Sequence, residues 1–243
     1  KTHNDYMRHA IQEMGLNPQK LGWASIQLDG GIENVQHKLE TWFSAEVADD
    51  EAPVTETVGL EAVRLGLLSD GPVPAAVAQQ LAQITKMVVK AGGLVVVPEN
   101  TGLLSLADYR ANVLEQATVL PSLAYGEHSS TNGFHIIETP TEHWVETLTG
   151  LAATGVELIL AYVGEHPMQT HPLVPVVQVT TSAAVQKEAG EDVDLVLAND
   201  PAQWQAELFS LITRVLEHSY TPKLYQQGNI DFQLTRGLLG VTL

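Results

Sequence analysis

The run Gly164-Glu165-His166-Pro167-Met168-Gln169-Thr170-His171-Pro172 is the densest polar constellation in the chain. Imidazole titrates nearest to neutral pH, so His166 and His171 are candidate acid–base groups. The same two histidines with Glu165 are also a candidate set of ligands for a divalent metal. Their bland alternative is a loop in which each ring hydrogen-bonds a turn. Three other places put polar groups where chemistry needs them. Asp29-Gly30-Gly31, between an apolar run and a helical pattern, has the form of an anion site at a helix N-terminus and equally of a tight turn. Ser69-Asp70 and Glu99 each follow an apolar run, and each also fits a helix cap.

Strands and helices must position these groups. Apolar, β-branched runs read as strands at Leu21–Leu28, Leu60–Leu68, Leu94–Val97, Ser122–Tyr125, Phe134–Ile137, Leu158–Val163, Val174–Val179 and Val193–Leu197. Helical spacing predicts helices over Ile32–Phe43, Val73–Ala91, Leu104–Val119 and Pro201–His218, and over the stretch carrying Trp144, Val145, Leu148, Leu151 and Ala152. Strands alternating with helices imply an α/β fold with mainly parallel sheets, whose ligands sit outside the carboxyl ends of the strands. The loops Glu138–Glu142 and Gly164–Pro172 fall at such ends. The alternation runs on both sides of the middle of the chain, and two Rossmann-like lobes are expected, residues 1–117 and 118–243.

Composition narrows the partners. With 29 Asp plus Glu against 12 Lys plus Arg, a net charge of −17 opposes a phosphate backbone, so nucleic acid is not an expected partner. No apolar run reaches the roughly 18 residues of a membrane span. The absence of cysteine excludes disulfides, thiolate metal sites and cysteine nucleophiles. A cytoplasmic location is the expectation. The chain opens on Lys1, with Tyr6, Met7, Ala10, Ile11 and Met14 already at helical spacing, so a piece of a longer polypeptide is expected.

Several anchors in fixed order carry a resemblance to a known family. Gly133-Phe134…Glu138-Thr139-Pro140, Val145-Glu146…Thr149-Gly150…Ala153…Gly155, and Gly164…His171-Pro172…Pro175-Val176…Val179 stand as in the altronate/galactarate dehydratases, also called altronate hydrolases. Upstream, Ser25-Ile26-Gln27…Gly30-Gly31 and Ala91-Gly92-Gly93…Glu99 resemble further segments of that family. The likeness runs from about Trp23 to Val179 and corresponds to the family's carboxyl-terminal two-thirds. It implies a lyase of carbohydrate-acid metabolism that eliminates water from a sugar acid to give a 2-keto-3-deoxy acid, with a divalent metal, iron first. It also implies an amino-terminal domain or subunit as partner, and a homo-oligomer. By the same likeness His166, His171 and Glu99 become the catalytic candidates. Gln27, Gly30, Gly31, Ser69, Asp70, Thr139 and Gly164 become the substrate-binding ones.

The departures from the family define a second reading. The family's Cys-Gly-Gly-Ser-Asp strand end is Gly66-Leu67-Leu68-Ser69-Asp70 here, and its Gly-Arg-Gly is Gly164-Glu165-His166. No Lys or Arg occurs between Arg110 and Lys187. An anionic substrate near those carboxylates is repelled unless a metal or helix N-termini supply positive potential. The alternative to an enzyme part is therefore a catalytically degenerate homologue that binds a small molecule or serves as a partner subunit.

Overall fold

The computed structural model describes residues 30–46, 57–114 and 121–233. The chain divides into two compact units, Lys1–Glu56 and Thr57–Leu243. Of the first, the described part is a turn at Gly30 and Gly31 leading into helix α1 (Ile32–Glu46). The expected strand Leu21–Leu28 and the helical pattern before it lie outside the described residues.

The second unit holds an all-parallel sheet. Its strands are β1 (Arg64–Asp70), β2 (Leu94–Pro98), β3 (Gly133–Ile137), β4 (Leu158–Val163), β5 (Val176–Thr180) and β6 (Leu195–Val196). Helices α2 (Ala75–Ala91), α3 (Gly102–Ser105), α4 (Ala107–Val113), α5 (Trp144–Ala153), α6 (Ala183–Ala189), α7 (Pro201–Leu216) and α8 (Lys223–Gln226) connect or follow them. The α/β class with parallel strands is as expected. The partition is not: strands from both residues 1–117 and residues 118–243 enter one six-stranded sheet, in the order β3-β2-β1-β4-β5-β6. β1 is the hinge of that order, since Arg64–Gly66 pair with Leu94–Val96 while Leu65–Asp70 pair with Leu158–Val163. Alternating strands and helices report that a parallel sheet forms, but not which strands share it.

Side-chain alternation then builds two apolar layers. Leu65, Leu67, Val95, Val97, Leu158 and Leu160 face a core that α2 and α7 complete. Leu94, Val96, Ile159 and Ala161 face the opposite layer with Leu148 and Leu151 of α5. Helix α7 buries Trp204, Leu208, Leu211, Ile212 and Val215, the stripe its spacing predicts, and Asp200 caps it by accepting the Ala202 amide at 3.0 Å. Helix α2 ends where Gly92 takes a left-handed conformation (φ 100°), and the Gly92 and Gly93 amides satisfy the carbonyls of Val89 and Val88 at 3.0 and 2.9 Å. That turn feeds directly into β2.

Four predicted strands shrink, Val193–Leu197 among them, which keeps only Leu195–Val196 as β6. Leu60–Ala62 is a 3-10 turn, so β1 starts at Arg64 and runs on to Asp70. Ser122–Tyr125 contributes one bridge, Leu123 to Ile137, before the chain turns at Gly126 (φ 77°). Leu173 and Val174 stay out of β5 because their amides bond the His171 ring, and Leu173 is left 79% exposed. The predicted helix Leu104–Val119 is two short helices, α3 and α4, with residues 115–120 outside the described set.

Candidate functional site

The strand order places the topological switch between β1 and β4, where β2 and β3 lie to one side and β5 and β6 to the other. Ligands of open parallel sheets bind in the crevice outside the carboxyl ends at such a point. Here the loops after β1 and β4 meet. The Gly164 amide donates to the Asp70 carbonyl at 2.7 Å, and the His166 amide donates to the Asp70 carboxylate at 3.2 Å. A β-carbon at position 164 would stand 2.7 Å from the Pro72 carbonyl oxygen and 2.9 Å from that of Asp70. Only glycine lets the two backbones pass this closely.

Beside the junction opens a cleft of about 480 Å³. Its floor carries Ser69 and Asp70 from β1, and Asn100 and Thr101 from the turn after β2. The Ser69 and Thr101 hydroxyls are 3.1 Å apart and bond each other. One wall is the start of α5, with Glu142, Trp144 and Thr147; the other carries Gln169 and Asp231.

Each wall is held by named bonds. Thr141 donates its hydroxyl to the buried Glu146 carboxylate and accepts the His143 amide at 3.2 Å, which fixes the entry into α5. The Trp144 indole N–H donates to the Gln169 carbonyl at 2.9 Å. Gln178, only 1% exposed on β5, grips the same loop twice: its amide donates to the Met168 carbonyl at 2.6 Å and its carbonyl accepts the Met168 amide at 2.9 Å. Asp231 reaches the cleft because Thr170 pairs with the carboxyl-terminal tail that follows α8, donating its amide to the Asn229 carbonyl and accepting the Asp231 amide, both at 3.0 Å. Just before β6, Asp194 accepts the Tyr220 hydroxyl and the Gln178 and Lys223 amides at 2.7–2.9 Å. Burial raises the Asp194 pKa, and those hydrogen bonds oppose the rise.

The structure sorts the candidates drawn from the sequence. Ser69 and Asp70 line the cleft, and Gly164 touches their loop. Gly30 and Gly31 belong to the first unit, where both have positive φ (85° and 120°) ahead of α1, and Gln27 lies outside the described residues. Glu99 and Thr139 bond each other, the Thr139 amide donating to the Glu99 carboxylate at 2.8 Å, and neither lines the cleft. His166 is exposed and meets Asp70 through its backbone alone.

His171 points elsewhere. It is 1% exposed and borders a separate pocket of about 210 Å³ between Pro172 and Tyr220. Its Nδ1 accepts the amides of Leu173 and Val174 at 3.2 and 3.3 Å, so the ring proton sits on Nε2 and the free lone pair of a general base is engaged. Burial lowers its pKa below the ordinary imidazole range. The expected acid–base role of His171 therefore gives way to that of a neutral turn-former. For the same reason Glu165, His166 and His171 do not make a metal site, and among the described residues no three His, Asp or Glu side chains group to hold an ion. The described residues thus do not fit the iron that the family resemblance implies.

Asn100, Glu142, Trp144, Gln169 and Asp231 were not among the candidates. Asn100 and Glu142 had a signal, since each sits in a turn at the end of a predicted strand. Asp231 had none, because the tail has no period.

Fold and site together define an α/β protein with a doubly wound parallel sheet and a polar, carboxylate-bearing cleft at its switch point. Residues 111–237 match the family described as D-galactarate/Altronate dehydratase, C-terminal, a span of more than half the chain, and the chain belongs to that family. The matched span contains β3 to the tail and thus both walls of the cleft, whereas Ser69, Asp70 and Asn100 lie upstream of it. No curated protein sequence matches the chain significantly. Among the described residues no helix is long and apolar enough to cross a membrane.

Proposed function

We propose that the chain is part of a sugar-acid dehydratase, a hydro-lyase that converts an altronate- or galactarate-type acid into a 2-keto-3-deoxy acid and water. The observation that carries this reading is that the family-matched segment builds both walls of the switch-point cleft. The reaction breaks the C–H bond α to the carboxylate and the C–O bond of the neighbouring carbon. The hydroxyl leaves with a proton as water, and the resulting enol becomes the keto acid. A base, a positive field for the enediolate and an acid for the departing hydroxyl are needed. Ser69, Asn100, Thr101 and Gln169 suit the orientation of substrate hydroxyls, and Asp70, Glu142 and Asp231 are proton acceptors at the same cleft.

The positive field is what the described cleft lacks: among the described residues no Lys or Arg lines it. That lack favours a second reading, a homologue that binds a sugar derivative or completes an active partner without turning over alone. One experiment separates the two. The full chain is incubated with altronate or galactarate and ferrous ion, with and without the amino-terminal domain of an active family member, and 2-keto-3-deoxy acid is followed as its semicarbazone. Turnover of roughly 1 per second or more, the low end of ordinary enzymes, is expected only in the complemented mixture. A complemented mixture that stays inert leaves the binding homologue.

A further inference from the structure

Among the described residues four buried side-chain atoms lack a hydrogen-bond partner, and two of them sit on neighbouring residues: the Thr170 hydroxyl oxygen and the His171 Nε2. Thr170 is 0% and His171 1% exposed. Both lie against one short stretch of the tail, residues 230–232. Thr170 bridges Ile230 in parallel through its two bonds to Asn229 and Asp231, and the Phe232 ring tilts over that of His171 with 5.5 Å between centroids. A buried polar group without a partner destabilises the conformation that buries it, and access to water removes that cost. The stretch itself is lightly held: Ile230 and Phe232 are 38% and 47% exposed, and its described anchors on the Thr170 loop are those two backbone bonds and the ring contact. The chain behind it is firmer. Gly228 (φ 75°) closes α8, and the Gly228 and Asn229 amides return to the Tyr225 and Leu224 carbonyls at 3.1 and 2.9 Å.

We infer that residues 230–232 form a strap that pivots at Asn229, lifting from Thr170 and His171 to open the cleft and closing to set Asp231 in its wall. The inference rests on the reading of this cleft as the site of a sugar-acid dehydratase. Closed, the strap keeps two backbone bonds and a ring contact but strands two polar groups. Open, it gives up those contacts and wets the Thr170 hydroxyl and the His171 ring N–H. Opposing effects of similar size make a segment that opens far more often than the sheet beneath it. The strap bears on the site because it carries Asp231 into the cleft lining. A hydroxyl of a bound sugar acid donates to that carboxylate and shifts the balance toward closure. Thr170 and Phe232 are thus positioning residues for Asp231, and admission and release of the substrate follow the strap.

Amide exchange with deuterium reads the strap directly in the full chain, because lifting it frees the Thr170 and Asp231 amides. Both should exchange at one common rate, at least about tenfold faster than the amides of β4, which report global opening. The Asn229 amide, bonded inside the α8 cap, should lag behind them. Thr170→Val keeps the shape and both backbone bonds while removing the stranded hydroxyl, and it should slow the Asp231 amide at least about fivefold relative to β4. Phe232→Ala, at an exposed position, should speed that amide several-fold and leave β4 unchanged. Galactarate, added to the full chain complemented with the amino-terminal domain of an active family member and ferrous ion, should slow both strap amides. Strap amides that exchange only with β4 or together with Asn229, a Thr170→Val variant that exchanges no more slowly, or bound galactarate that leaves both rates alone overturns the inference. Dehydration is followed in the same mixture, and turnover alongside any of those outcomes leaves the dehydratase reading standing. Strap exchange as expected, with neither galactarate binding nor turnover, upholds the strap and sinks that reading.

Discussion

Replacing Gln178 by Leu tests whether one buried amide sets the shape of the cleft. Gln178 is 1% exposed and makes two bonds to Met168, whose neighbour Gln169 lines the cleft and accepts the Trp144 indole proton. Leucine has nearly the same volume, so packing is conserved while both bonds vanish. Each neutral bond is worth about 1 kcal/mol net, and a peptide group left unpaired costs about 1–3 kcal/mol more when water cannot reach it. Met168 is half-buried, which lets water recover part of that cost, and about 2–3 kcal/mol of destabilisation is expected. With a urea slope of about 2–3 kcal/mol per molar, the unfolding midpoint should fall by about 1 M. The Met168 amide should exchange with deuterium about thirtyfold faster, the rate equivalent of about 2 kcal/mol. A midpoint within about 0.2 M of the wild type, together with unchanged protection at Met168, would refute the clamp.

Two further substitutions probe the same region. His171→Asn keeps an acceptor for the Leu173 and Val174 amides and removes the titrating ring. The folded-state pKa of His171 lies below the unfolded value, so as pH falls below about 6.5 the unfolded chain takes up a proton that the folded chain refuses. Wild-type stability should therefore drop from neutral pH downward until the folded pKa is passed, and urea midpoints at about pH 7.5 and 5.5 should differ less in His171→Asn. Equal acid sensitivity would assign the drop to other groups. Gly164→Ala sets a methyl 2.7 Å from the Pro72 carbonyl oxygen. It should cost about 1–3 kcal/mol by pushing the β1 and β4 loops apart; a variant as stable as the wild type would show that the loops yield freely.

Local pattern made much of this protein legible in its sequence. The five-residue buried stripe of α7, the whole of β4 and the stop of α2 at Gly92 follow from spacing, β-branching and glycine, because each depends on neighbours within a few residues. The placement of Ser69, Asp70 and Gly164 at strand ends was legible for a related reason: each lies where a predicted strand delivers its chain to a loop. Tertiary structure alone decided the rest. That β1 sits between β2 and β4, joining two expected lobes in one sheet, rests on pairings such as Leu65 to Leu158, which no local period encodes. Asp231 meets the cleft through Thr170, sixty-one positions before it in the sequence. His171 turns inward because two backbone amides compete for its ring, and the same bonds withhold Leu173 and Val174 from β5. A side chain's type sets which chemistry it can do; its protonation, partner and direction are fixed by groups that only the folded chain brings near.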